Sequence, residues 1–293
     1  MIEVCELTKV YREGRGIKNL SLRVESGTAF GFLGPNGAGK TTTIRLLMGF
    51  MKPDSGSARI QGLDCWRKRA ELKRVVSFLP GELHFLENLT GLEFLELIEG
   101  MHGECQATKK NRAYLIDSLD LNPVQLIRKM SKGMKQKLGI ISAFMLDSQV
   151  LILDEPTSGL DPLMQKIFIE LILEEKKKGK TIFMSSHQFS EIEQTCEQAG
   201  IIREGELLAV QDIARLKQNE RQTFEVEVER DEDAELLRQS GLVLCPISKL
   251  CFTIFIEGQQ ELLWSTLAQV RVKRFKQCSL ELEEAFMHYY RSS

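Results

Sequence analysis

The chain has 293 residues, 43% of them hydrophobic and 27% charged, a composition that excludes a disordered or collagen-like polypeptide. Its 39 basic residues against 41 acidic ones leave a net charge of −2, so no basic field exists to hold nucleic acid non-specifically. The length allows one large domain or two ordinary ones. No run of about 18 apolar residues occurs, so no spanning helix is expected, and MIEVCELTKVYREG lacks the apolar core of a signal peptide. The seven cysteines (5, 65, 105, 196, 245, 251 and 278) are odd in number and form no C-x-x-C pair. They predict reduced, partly buried thiols in a cytosolic protein rather than a zinc or redox site.

In the first two thirds, short apolar runs alternate with helical stretches. Ala29-Phe-Gly-Phe-Leu33 stops at a glycine-rich turn, Val150-Leu-Ile-Leu153 ends in Asp154-Glu155, and Thr181-Ile-Phe-Met184 ends in Ser185-Ser-His187. Continuous apolar strands separated by helices predict an α/β core, a parallel sheet covered on both faces. Ligands gather at the carboxyl ends of such strands, so one site can collect all three polar ends. The stretch 85–145 reads as a helical insert. Thr90-Gly-Leu-Glu93 fits a capping box, a helix-period segment follows through Ile98, and helical pattern resumes over Lys109–Leu119 and Gly133–Leu146.

After residue 218 the pattern changes. Phe224, Val226 and Val228 alternate with Glu225, Glu227 and Glu229, as a half-buried strand does. A helix over Ala234–Gln239, strands over Leu242–Cys245 and Leu250–Ile256, a helix over Glu261–Ala268 and a strand over Val270–Phe275 complete the order βαββαβ. That order predicts a small C-terminal α+β module of the ferredoxin-like kind, closed by a helix over Leu280–Tyr290. The polar stretch Leu216–Gln222 reads as a linker, giving domains 1–217 and 218–293.

Gly34-Pro35-Asn36-Gly37-Ala38-Gly39-Lys40-Thr41-Thr42 matches G-x-x-x-x-G-K-[ST] between an apolar strand and a helical segment. Glycines let backbone N–H groups converge on a phosphate without side-chain clash. Lys40 brings a cation to β/γ oxygens and Thr41 a hydroxyl to Mg²⁺. The helix starting near Lys40 aims its positive end at the same place. Asp154, at a buried strand tip, suits Mg²⁺ directly or through water. Glu155, one residue on, points elsewhere and suits the polarisation of an attacking water.

Together these segments resemble the ATP-binding-cassette (ABC) ATPase family, a P-loop NTPase core with a helical subdomain, over residues 1–212. Met130-Ser-Lys-Gly-Met-Lys-Gln136 looks like its signature segment, Ser158-Gly-Leu-Asp161 like its D-loop and Ser185-Ser-His187 like its switch histidine. Tyr11 sits where the family places an aromatic on adenine. The resemblance implies a head-to-tail dimer holding two ATP, each between one subunit's P-loop and the other's signature. Ser131 and Gly133 would then touch the partner's ATP, His187 the γ-phosphate, and Asp161 the dimer interface, besides serving as a helix N-cap before Pro162. The second ATPase is another copy or a paralogue, and separately encoded membrane permease subunits are implied, with the chain peripheral on the inner face.

Two positions depart from the family pattern. Lys132 replaces a signature glycine, and Gly81 fills the Q-loop glutamine slot; either Glu82 next to it reaches Mg²⁺ or the attacking water in its place, or coupling at that loop relies on backbone and water. Pro80-Gly-Glu-Leu83, then Glu87-Asn-Leu-Thr-Gly91, and the C-terminal module resemble the subset serving drug, antibiotic and polysaccharide exporters. A soluble ABC ATPase acting on nucleic acid or ribosomes fits less well, having usually a second cassette, a long coiled coil or zinc cysteines. A weakly hydrolysing regulatory subunit is a third reading, motivated by Gly81 and Lys132 and opposed by Glu155. His84 and Phe85 fall where the family receives a transporter helix. Lys176-Lys-Lys-Gly-Lys180 reads as a solvated helix C-terminus closed by Gly179, and the acidic stretch Glu225–Glu235 as a solvent face.

Overall fold

The computed structural model describes residues 1–12, 14–102, 106–214, 222–256 and 260–278, and the chain divides into two compact units after Ile213. The first unit opens with two antiparallel strands, β1 (Ile2–Val10) and β2 (Gly16–Val24). Next come β3 (Ala29–Leu33), α1 (Lys40–Leu47), β4 (Ser55–Ile60), β5 (Leu63–Asp64), α2 (Arg69–Leu72) and β6 (Val76–Leu79). The helical stretch holds α3 (Gly91–His102), α4 (Gln106–Ser118), a 3-10 turn at Ile127–Lys129 and α5 (Lys132–Phe144). The chain then returns to sheet through β7 (Val150–Asp154), α6 (Pro162–Lys177), β8 (Thr181–Ser186), α7 (Phe189–Thr195), β9 (Gln198–Arg203) and β10 (Glu206–Asp212).

Six strands form one sheet in the order β10-β9-β3-β8-β7-β6, parallel throughout except for β10. Every residue of β3, β7 and β8 is buried, as the unbroken apolar runs require of strands covered on both faces. Phe183 of β8 packs on Phe30 and Phe32 of β3 at ring distances of 5.7 and 5.4 Å. A second, antiparallel sheet, β2-β1-β4-β5, was not expected from the sequence. Its strands are only half-buried and β1 changes register between Val4 and Leu7, which breaks the two-residue alternation. Ile44, Leu46 and Leu47 of α1 share one core with residues of both sheets, and this fixes the loop in front of α1.

Caps set the helix starts of the insert. Thr90 N–H donates to Glu93 Oε2 (2.7 Å) and Glu93 N–H to Thr90 Oγ1 (3.2 Å), a reciprocal capping box at α3. Ser131 caps α5 by accepting from Met134 N–H. Asp161 caps α6 through Leu163 and Met164 N–H, with Pro162 at the first helical position.

The basic run after α6 differs from expectation. Gly179, at φ +79°, turns the chain back into β8 and carries Lys180 beneath the helix, where it pairs with the buried Glu175 carboxylate. Lys176 pairs with Glu197 at 2.7 Å. Only Lys177 and Lys178 remain exposed at the surface.

The second unit contains β11 (Gln222–Val228), α8 (Asp231–Gln239), β12 (Val243–Pro246), β13 (Cys251–Ile256), α9 (Gln260–Leu267) and β14 (Val272–Cys278). Its antiparallel sheet runs β12-β13-β11-β14. Phe224, Val226 and Val228 of β11 pack with Ala234, Leu237 and Leu263. Glu225 and Glu227 face away and pair with Arg274 (2.5 Å) and Lys273 (2.7 Å). The helix expected over Leu280–Tyr290 and most of the linker expected at Leu216–Gln222 lie outside the described residues.

Candidate nucleotide site

The carboxyl end of β3 runs into the loop Gly34–Gly39 and then α1. At Gly34 and Gly39 neighbouring atoms leave no room for a side chain. A Cβ on Gly34 would lie 2.4 Å from the Ile202 carbonyl oxygen. Gly39 precedes α1 at φ +112°, and a Cβ there would lie 2.7 Å from Ile17 Cγ2. No side chain caps α1, so its leading N–H groups are open to an anion. Pro35, Asn36 and Gly37 are exposed, Ala38 is buried, and Gly205 N–H ties down the Ala38 carbonyl at 2.9 Å. Gly34→Ala should therefore destabilise the fold by about 1–3 kcal/mol and weaken nucleotide binding. Thermal unfolding with a fluorescent-nucleotide titration checks this, and an unchanged melting temperature would refute the close approach.

Lys40 is 5% exposed. Its Nζ donates to the carbonyls of Gly34 (2.5 Å) and Pro35 (3.3 Å) and lies 3.1 Å from Glu155 Oε1. Thr41 is exposed and Thr42 half-buried. Asp154, 2% exposed at the end of β7, accepts from Ser185 Oγ at 2.5 Å. Glu155 then turns away at φ +48°, a left-handed conformation that costs a non-glycine residue energy. Its N–H is shared between Ser185 O (3.2 Å) and Ser185 Oγ (3.1 Å). The turn directs its carboxylate between two nitrogens, Lys40 Nζ and His187 Nδ1, the latter 2.5 Å from Oε2.

These groups border a cleft of about 470 Å³ whose lining includes Asn36, Thr41, Glu82, Asp154, Glu155 and His187. The oxygen-rich set of Thr41 and Asp154 fits a hard cation, and the glycine-lined loop with Lys40 fits a phosphate chain. Gly81 also borders the cleft, and a Cβ there would sit 3.2 Å from the Asp154 carbonyl oxygen and 3.4 Å from Asp154 Oδ2. The side chain that reaches out from this loop is that of Glu82, which is exposed.

Other expected site residues are not at this cleft within the one chain. Ser131 and Gly133 start α5 beside the loop 158–161, where a Cβ on Gly133 would meet Gly159 O at 3.3 Å. Asp161 caps α6, as described. Tyr11 is 40% exposed and its hydroxyl contacts Met51 Sδ at 3.4 Å. Sequence reasoning missed Ser185, which holds Asp154, and Gln136, whose buried amide donates to Pro156 O at 2.6 Å. Ser185 stood in the Ser-Ser-His segment; Gln136 stood in the signature, with nothing to mark its partner.

Residues 17–158 match the ABC transporter family. The bacitracin transport ATP-binding protein BcrA of Bacillus licheniformis is 38% identical over 240 residues, 82% of this chain and 78% of that one. The chain belongs to the ABC transporter ATP-binding family. The linearmycin resistance ATP-binding protein LnrL of Bacillus subtilis is 32% identical, over 72% of this chain and 68% of that one. A solved structure of the ATP binding subunit of an ABC transporter superposes with a TM-score of 0.70 at 30% identity, covering 74% of this chain and 92% of that one. This ABC subunit is thus an ATP-binding ATPase built on the P-loop NTPase fold. Among the described residues, no helix is long and apolar enough to cross a membrane.

Proposed function

We propose that this subunit powers export of antibiotic-like compounds through separately encoded membrane permease subunits, docked on the inner face of the membrane. Relatives named for bacitracin transport and linearmycin resistance support the cargo class. Two ATP molecules would be held between two such subunits, each by one P-loop and the partner's Ser131 and Gly133. Asp161 would meet the partner at that interface, and Tyr11 would stack on adenine. Residues 218–293 would be an accessory module of ferredoxin-like type.

The placing of Glu155 between Lys40 and His187 is the observation that carries the hydrolytic reading. Beside the lone pairs that face these nitrogens, each Glu155 oxygen has another that can accept a proton. When Lys40 moves to the β/γ-phosphate oxygens, Oε1 can accept the proton of the water that attacks the γ-phosphorus. His187 keeps Oε2 oriented through Nδ1–H and, as imidazolium, would also donate from Nε2 towards the γ-phosphate side. Thr41 and Asp154 would hold Mg²⁺, which when bound neutralises charge on the phosphate oxygens.

Glu82 would assist at the place of the missing glutamine, orienting the metal's water shell. Glu82→Ala should lower kcat about tenfold, the range of a single lost polar contact, while ATP affinity stays within about threefold. Steady-state phosphate release and nucleotide titration separate the two, and an unaltered kcat would assign Glu82 to the surface. The export reading is tested by deleting the gene and measuring the inhibitory concentration of bacitracin. A fall of at least about fourfold, near 1 kcal/mol in effective potency, is expected. No change with either bacitracin or linearmycin would overturn the cargo class.

A further inference from the structure

Behind the cleft lies a carboxyl that the hydrolytic machinery does not use. Glu191, in the first turn of α7, is 5% exposed. Its Oε2 accepts from Ser186 Oγ at 2.6 Å, and Ser186 Oγ in turn accepts from Gln188 N–H at 3.0 Å. These two bonds bracket His187, which stands between Ser186 and Gln188. The hydroxyl of Thr157, 7% exposed and two residues after Glu155, lies near enough to favour the charged form of Glu191, whose Oε1 is buried without a hydrogen-bond partner. Glu155 and His187 touch directly at 2.5 Å. The Glu191–Ser186 bond thus ties the strand end before His187 to the first turn of α7, and His187 in turn touches Glu155.

An acid in the first turn of a helix stabilises its dipole, but that role needs neither burial nor a buried hydroxyl partner. Burial pushes the Glu191 carboxyl up to about 7; the hydroxyls of Ser186 and Thr157 oppose the rise, Glu155 adds to it and His187 opposes it. A group so desolvated is retained at a cost unless its hydrogen bonds do something an apolar side chain cannot.

We infer that Glu191 is a positioning residue for the hydrolytic pair, its carboxyl bracing the turn that carries His187 against the first turn of α7. The inference rests on the hydrolytic reading above. A carboxyl tying these two turns holds the Nδ1 to Oε2 geometry, and displacement of reacting groups by about 1 Å can cost about 100-fold in rate.

The test compares Glu191→Leu, Glu191→Gln and Ser186→Ala in the full chain, with kcat and KM for ATP measured for each. The ¹⁵N shift of His187 Nδ1 is read beside them and is assignable because the chain holds four histidines. Glu191→Leu and Ser186→Ala should lower kcat about tenfold or more with KM held within about threefold, and should move the His187 signal. Glu191→Gln keeps an acceptor for Ser186, so it should recover most of both. Should Glu191→Leu fail to fold, Ser186→Ala, which opens little space, carries the comparison with Glu191→Gln. A kcat within twofold of wild type in Ser186→Ala and Glu191→Leu, or a loss with the His187 signal unmoved, would overturn the positioning role. A wild-type chain that binds ATP without hydrolysing it would instead refute the hydrolytic reading, and the His187 shift would still report whether Glu191 braces the turn.

Discussion

Glu155→Gln should abolish steady-state ATP hydrolysis, by at least about 100-fold, the lower end of what a positioned general base contributes. The amide keeps the size and the left-handed turn of Glu155, so the contacts around it change little. What it loses is the capacity to take a proton, together with the negative charge 3.1 Å from Lys40 Nζ and 2.5 Å from His187 Nδ1. Removing that charge from beside a polyphosphate should leave ATP affinity equal or tighter. The ATP-bound dimer, no longer cleared by hydrolysis, should then accumulate, and light scattering with Mg-ATP would reveal it. Turnover within tenfold of wild type would remove Glu155 from the chemistry.

Lys40→Ala should have the second-largest effect, acting on binding. Lys40 Nζ is held by two carbonyls and one carboxylate beneath a loop whose ends, at Gly34 and Gly39, are closely packed. Charge-assisted contacts to phosphate contribute roughly 1.5–3 kcal/mol each, so the loss of one or two weakens ATP binding about 10- to 100-fold or more. Lys40→Arg should not rescue it, because a side chain 6% exposed leaves no space for a guanidinium. A fluorescent ATP analogue titrated into both variants gives the answer. Affinity within threefold of wild type would mean that Lys40 serves Glu155 rather than phosphate.

The candidate site was partly legible in sequence because the segments that form it are local. A phosphate loop is one turn between a strand and a helix, and its requirements are met by neighbouring residues. The buried runs of β3, β7 and β8 were visible for the same reason, as were the caps at Thr90 and Asp161. The sheet β2-β1-β4-β5 was hidden because bulges and half-burial erase its alternation, leaving no period to read. Lys180 was misjudged because adjacent lysines look alike in sequence, whereas the turn at Gly179 buries one and leaves two outside.

By itself, then, the sequence determined the α/β class, the glycine-rich loop between β3 and α1 and the pair of carboxylates at the end of β7. Each depends on interactions within a few residues, where composition and period are sufficient. Only the tertiary structure decided that Glu155 lies between Lys40 and His187, that Ser185 grips Asp154 and that Gln136 reaches Pro156. It also decided that Glu191 is buried against Ser186 and Thr157. These groups come from segments far apart in the chain, brought to one end of a parallel sheet by strand order. Strand order is set by how helices and a second sheet cover the apolar faces, a property of the packed molecule that no local stretch encodes.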